Sequence, residues 1–195
     1  MVRLDFGGVT ENVITRQEFT LEQAHKILND EVVVTLGYGI QGRAQSLNMR
    51  DNGIKVVIGQ ENSGVHKAYY DLAVKEGWVP GETLFSMEEA AQRGTIKQFL
   101  LTDAGQRETW PVVRGTLKEG DALYFSHGFS IVYRDITGVI PPKNIDVIMV
   151  APKGSGTSVR RNFVAGSGIN SSFAVYQDFT GRAENRVKAI GIAIG

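Results

Sequence analysis

The sequence predicts an α/β fold: a Rossmann-like, doubly wound, mostly parallel sheet with helices on both faces. Three observations carry this. Apolar runs alternate with stretches of helical period along most of the chain. The apolar runs are continuous and β-branched, as strands buried on both faces are. The run "EVVVTLG" leads directly into Gly37, Gly39 and Gly42, and a helical pattern opens there.

The first predicted element is a helix in "FTLEQAHKILND", where Thr20 and Gln23 form a capping-box pattern and Leu21, Ala24, Ile27 and Leu28 share a face. "EVVVTLG" is the first buried strand. "IQGRAQSLNMRDNG" is a helix stopped by Asn52-Gly53. "IKVVIG" is a second strand, and "HKAYYDLAVKEG" a helix with glycine at its end. In "SMEEAAQRG", Ser86 is the N-cap, Glu89 completes a capping box and Gly94 is the stop. "TIKQFLL" is a third strand. "QRETWPVVRGTLKEG" is helical, with Pro111 placed near its first turns, where proline is tolerated. "DALYFSHG" is a fourth strand. A long loop, "SIVYRDITGVIPPKN", follows, stiffened by Pro141-Pro142. "IDVIMVAPKG" is a fifth strand, "GTSVRRNFVAG" a short helix and "SSFAVYQD" a sixth strand. Residues 1–181 form the expected dinucleotide-binding domain, and 182–195 the expected start of a helical C-terminal domain that is otherwise absent.

Composition narrows the function. The chain has 195 residues, 42% of them apolar, and 21 basic residues balance 21 acidic ones. That neutral total argues against a nucleic-acid or anionic-membrane footprint. There is no cysteine, so disulfides, thiolate zinc sites and a cysteine nucleophile are excluded. No apolar run approaches a membrane span. The N-terminus, with Asp5 and Glu11 and no apolar core, does not read as a signal or transit peptide, so a cytoplasmic location is expected.

The glycine loop has a mechanical rationale. The first glycine permits a tight turn, the second lets the backbone approach a pyrophosphate, and the third lets helix and strand pack closely. The helix N-terminus then offers free N–H groups to the phosphates. Glu61, at the end of the second strand, suits a ribose 2′-hydroxyl and repels a phosphate there, which favours NADH. The other possibility is that Glu61 faces solvent while Asn62, Ser63, His66 or Lys67 grips the extra phosphate of NADPH. His127 and Lys153 stand at adjacent strand ends, where ligands of open sheets gather. An imidazole there exchanges protons near neutral pH, and an ammonium stabilises a developing oxyanion. The bland alternatives are a His127 that caps a turn and a Lys153 that is solvated. Arg160-Arg161, His25 and His66 read as surface, Trp78 and Trp110 as packing anchors, and Asp5, Glu88 and Glu89 form no ligand set.

The segments "GYGIQGRAQSLNMRDNG", "LLTDAGQRETWP", "LYFSHGF", "PPKNIDVIMVAPKGSG" and "INSSFAVYQDFTG" together resemble one family, ketol-acid reductoisomerase, also called acetohydroxyacid isomeroreductase. The resemblance implies a branched-chain amino acid (valine, isoleucine) biosynthetic enzyme. It would convert 2-acetolactate or 2-aceto-2-hydroxybutyrate to the 2,3-dihydroxy acid, using NADH or NADPH and a pair of magnesium ions. By the same resemblance, Gly37, Tyr38, Gly39, Ile40, Gln41 and Gly42 match the pyrophosphate turn, with Ile40 where the family often has serine. Asp103, Ala104, Gly105 and Gln106 match a loop flanking the cofactor. His127 matches the active-site histidine, and Pro152, Lys153 and Gly156 a loop by nicotinamide and substrate, with Ser155 replacing the usual second proline. Glu61 departs from the arginine common in NADP-dependent members.

The resemblance also implies that the magnesium ligands lie in the helical domain, none of them in this chain. The chain alone is then expected to bind cofactor and be inactive, with a homo-oligomer expected at full length. An apolar patch is expected near Val187, Ile190 and Ile192. A non-catalytic NAD(P)-binding module or sensor is the alternative; it would need neither His127 nor Lys153. A hydroxyacid dehydrogenase of similar topology lacks support from "SHGF" and "APKGSG".

Overall fold

The computed structural model describes residues 2–195. A short antiparallel hairpin, β1 (Val2–Asp5) and β2 (Thr10–Val13), precedes α1 (Leu21–Leu28). Then come β3 (Val33–Leu36), α2 (Ile40–Asp51), β4 (Val56–Gly59), α3 (Lys67–Lys75), β5 (Leu84–Phe85) and α4 (Met87–Arg93). The second half is β6 (Ile96–Phe99), α5 (Asp103–Thr116), β7 (Ala122–Phe125), α6 (Phe129–Val132), α7 (Arg134–Thr137), β8 (Asp146–Pro152), α8 (Gly156–Val164), β9 (Ser171–Gln177) and α9 (Ala183–Ala193). No helix among the described residues is long and apolar enough to cross a membrane.

The main sheet has seven strands in the order β5-β4-β3-β6-β7-β8-β9, all parallel except β9, which runs antiparallel to β8. The chain leaves β3 toward β4 and β5, then crosses back to β6. The carboxyl ends of β3 and β6 therefore flank the crevice where such sheets take ligands.

The strand period of two divides the core between the faces. Val33 packs with Ala24, Leu47 and Val187 on one face, and Val34 with Ala90, Trp110 and Val113 on the other. Both capping boxes read from the sequence are present, Thr20 with Gln23 and Ser86 with Glu89. Gly53 follows α2 at φ +76°, the left-handed conformation its stop required.

Four differences have physical causes. The stretch after β7 is not a plain loop: α6 and α7 each add a turn, their ends fixed by Thr137 Oγ1 donating to Ser130 O at 2.9 Å. Pro111 sits in the middle of α5, because Thr102 caps that helix a turn earlier than the sequence pattern suggests. The hairpin and two-residue β5 are too short to leave a periodic signal. The expected apolar patch is absent: Val187 and Ile190 are fully buried and Ile192 half-buried, because α9 packs on β8, β9 and α1.

α9 is held by two devices. Arg186, 3% exposed, bonds Glu31, Asp146 Oδ2 (2.8 Å) and the Gly120 carbonyl (2.8 Å). The amides of Asn48 and Asn52, on and just after the last turns of α2, donate to the carbonyls of Ile194 and Ala193 at 2.8 and 2.9 Å. A second buried pair, Lys97 with Asp121 at 2.5 Å, lies nearby. Both buried ion pairs stand at the amino ends of the strands, opposite the ligand crevice.

Candidate functional site

The crevice begins at Gly37. Its φ of +97° is one that L side chains rarely adopt, and a Cβ there would meet Leu101 Cδ2 at 2.6 Å. Gly42 packs closer still: a Cβ would stand 1.9 Å from the Gly37 carbonyl oxygen. Gly39 differs from both. A Cβ there would meet nothing within 4 Å, so the protein's own packing does not demand glycine at that position.

Side chains of Thr20, Ser86, Thr102 and Ser155 cap α1, α4, α5 and α8, and none caps α3, α6, α7 or α9. The N-cap of α2 is Gly39, and no side chain caps it either; α2 differs from the other uncapped helices in starting at the glycine turn. The first turn of this 12-residue helix therefore keeps its amides and the positive end of its dipole without a side-chain cap. Ile40, 66% exposed, and half-buried Gln41 form that first turn. Gln41 donates to the Gly154 carbonyl at 3.0 Å and so ties the turn to the loop after β8.

Tyr38, between two of the glycines, is fully buried. Its amide donates to Gln60 Oε1 at 2.8 Å, its hydroxyl donates to Glu76 Oε2 at 2.8 Å, and Trp78 Nε1 donates to that hydroxyl at 2.8 Å. Burial, and then the hydrogen bond to the Glu76 carboxylate, push the phenol above its ordinary pKa. Tyr38 is therefore an internal anchor of the turn, and neither its side chain nor its amide is free for a ligand. Glu76 also receives the Arg43 guanidinium through Nε (2.8 Å) and Nη2, and these hydrogen bonds hold its carboxyl below the usual glutamate range.

The sign of that shift gives a pH prediction. The stability from ionised Glu76 is fully present above the ordinary glutamate pKa and is lost as the pH falls through the lowered one. Urea unfolding of the chain and of Glu76→Gln should differ by about 1 kcal/mol at neutral pH. The difference should hold down to the ordinary glutamate pKa and shrink as the pH falls through the lowered one. A difference independent of pH would show that the carboxylate charge is not what matters.

Glu61 follows β4 by two residues and is half-buried. Its Oε1 accepts the amide of Met87 at the start of α4 at 3.0 Å, so the carboxylate is held at a helix N-terminus rather than aimed into solvent. It borders a cleft of about 360 Å³ shared with Ser86, Glu89 and Arg93. Ser63 is exposed and precedes a short turn at Gly64–His66.

Across the crevice, Asp103, Ala104 and Gly105 form the first turn of α5, and Thr102 Oγ1 accepts the Gly105 amide at 3.2 Å. Gln106 does not face the crevice. Its buried amide donates to the carbonyls of Phe99 and Leu101, each at 3.1 Å, and accepts from Ser130 Oγ at 2.6 Å. His127 follows β7 by two residues and is half exposed; its Nε2 lies 3.7 Å from Asp103 Oδ1. Pro152 ends β8, paired with Ser171 of β9, and Lys153 follows with its amide bonded to the Asn170 carbonyl at 2.9 Å. The Lys153 side chain is exposed, just past the end of β8, the strand next to the β7 that His127 follows. Gly156 is explained by packing: a Cβ there would stand 1.9 Å from the Ile40 carbonyl oxygen, which sets the N-termini of α2 and α8 against each other.

Sequence reading did not single out Gln60, Arg43 and Glu76. Each acts through a partner distant in sequence, and no local pattern marks it. Among the described residues, no three His, Asp or Glu side chains converge in a group that could hold a metal ion.

A family model described as the NADPH-binding domain of acetohydroxy acid isomeroreductase matches residues 27–195. A protein of Desulfosudis oleivorans named ketol-acid reductoisomerase (NAD(+)) is 62% identical over all of this chain and 54% of its own length. The mitochondrial ketol-acid reductoisomerase of Saccharomyces cerevisiae is 47% identical over 99% of this chain and 48% of its own. The solved structure of an NADH-preferring ketol-acid reductoisomerase from an uncultured archaean superposes with a TM-score of 0.80 at 34% identity, over 86% of this chain and 50% of that one. The chain spans about half the length of the curated relatives it matches.

Proposed function

The chain belongs to the acetohydroxy acid isomeroreductase family as its cofactor-binding domain, and from that premise we propose that it seats the dinucleotide of a ketol-acid reductoisomerase, with NADH preferred. The observation that carries this is the uncapped N-terminus of α2 behind the open position at Gly39. A pyrophosphate there accepts from the first-turn amides of Ile40 and Gln41. The Glu61 carboxylate, held by the Met87 amide, keeps its second oxygen for a ribose diol and repels a 2′-phosphate.

The bound nicotinamide supplies a hydride. The His127 imidazole holds or moves a proton, with the Asp103 carboxylate 3.7 Å from its Nε2. Lys153, whose ammonium has no partner among the described residues, stabilises negative charge on a substrate oxygen. On this proposal the acetohydroxy acid is bound between this chain and a helical domain that carries the magnesium ligands and the homo-oligomer contacts, in the half of the relatives' length that the chain does not span. A cytoplasmic setting is part of the same proposal, beside a yeast relative named as mitochondrial.

Isothermal titration of the chain with each nucleotide tests the reading. NADH should bind about tenfold more tightly than NADPH, and Glu61→Arg should reverse that order. No heat with either nucleotide would remove the cofactor assignment. Steady turnover of acetolactate by the chain alone would refute the division of labour.

A further inference from the structure

Gln60 stands at the carboxyl end of β4, between Gly59 and Glu61, and is 5% exposed. Its backbone amide is tied to the Phe85 carbonyl at 3.0 Å, so the residue is fixed in the sheet. Its side chain reaches three separate pieces of the crevice rim. Oε1 accepts the Tyr38 amide at 2.8 Å, and Nε2 lies 3.4 Å from the carbonyls of both Glu61 and His66. One planar amide thus joins the phosphate turn, the acidic strand end and the turn before α3.

This matters because a dinucleotide is one ligand with two fixed ends. The pyrophosphate must reach the amides after Tyr38 while the ribose hydroxyls reach Glu61. If the two protein elements drift apart, binding must pay to order them before both contacts form. We propose that Gln60 is a positioning residue that holds the phosphate turn and Glu61 at one separation, and so sets both the strength and the selectivity of dinucleotide binding. The inference rests on the cofactor reading above. It goes beyond it by assigning selectivity to a buried residue whose side-chain amide is engaged with Tyr38, Glu61 and His66.

NADH uses both ends of the span. NADPH gains little from Glu61 and depends mainly on the phosphate turn, so loosening the span harms NADH more. Gln60→Leu keeps the approximate volume but leaves the Tyr38 amide without its acceptor. Gln60→Glu keeps an acceptor for that amide and loses the donor contacts to Glu61 and His66.

The test combines nucleotide titration with residue-resolved amide exchange on the same 195-residue chain. In Gln60→Leu the NADH dissociation constant should rise about tenfold and that for NADPH no more than about threefold, so that the preference narrows. Exchange of the Tyr38 amide should quicken while the Gly37 amide, bonded to the Gly59 carbonyl at 2.9 Å, stays slow. Gln60→Glu should keep the Tyr38 amide slow, but its added carboxylate repels a 2′-phosphate as Glu61 does, so it reports on exchange alone; if leucine prevents folding, Gln60→Met carries the titration, with the same narrowing expected. An equal loss for both nucleotides with a lowered melting temperature would reduce Gln60 to a structural role and overturn the proposal, as would unchanged Tyr38 exchange in Gln60→Leu. Wild-type chain that binds neither nucleotide overturns the cofactor reading itself, and the selectivity role with it.

Discussion

Gly42→Ala is expected to abolish nucleotide binding and to destabilise the fold by about 3 kcal/mol. The added Cβ would lie 1.9 Å from the Gly37 oxygen, 3.1 Å from its carbonyl carbon and 3.2 Å from Thr35 Cγ2. Two of these are backbone atoms that no rotamer change can move aside. The turn and the first coil of α2 must separate by more than an ångström, and that displaces the amides that face the ligand. Gly39→Ala is the matched control. Its Cβ enters open space, so the fold should keep its stability while affinity falls, because the new methyl occupies the volume assigned to phosphate. Urea denaturation and nucleotide titration of the two variants separate the effects. Wild-type stability in Gly42→Ala would show that the turn is softer than its contacts imply. Wild-type affinity in Gly39→Ala would show that the phosphate lies elsewhere.

Arg186→Ala is the second large effect, expected at about 3–5 kcal/mol. The guanidinium serves Glu31 and Asp146, which are 5% and 0% exposed, and the Gly120 carbonyl. Its removal strands two carboxylates away from water. Asp146 keeps its bonds from the Phe179 and Thr180 amides and the Thr180 hydroxyl, but Glu31 loses its cationic partner. Lysine is a poor substitute, since a single ammonium cannot reproduce the planar fork. Because the pair is buried, added salt should change the difference little. A drop in melting temperature of about 10 °C or more is expected. A loss below about 1 kcal/mol would mean that the carboxylates find water or protons without cost.

The repeating parts of the architecture were legible in the sequence because they depend on local pattern. Val33 and Val34 read as a buried strand and divide between the two faces of the sheet. Ser86 and Glu89 read as a cap and form one. The site was legible as an address: His127 and Lys153 do stand at the ends of neighbouring strands. What each residue does there was less legible. Tyr38 and Gln106 lie inside the expected cofactor motifs, yet their polar groups are spent on Glu76, Trp78, Ser130 and backbone carbonyls. Gly156 owes its place to the Ile40 carbonyl. The helix at 183–193 looked unpartnered because its partners, Glu31 and Asp146, are 155 and 40 residues away from Arg186. Local spacing carries no trace of such pairings.

The asparagines at the far end of α2 give that helix a mechanical role. A rod of 12 residues runs from the open turn at Gly39 to side-chain amides that grip the final coil of α9. Close-packed helices are stiff along their axes, so a small tilt imposed at one tip is delivered to the other as a lever delivers it. The final coil of α9 is thereby fixed to the same rod that carries the glycine turn.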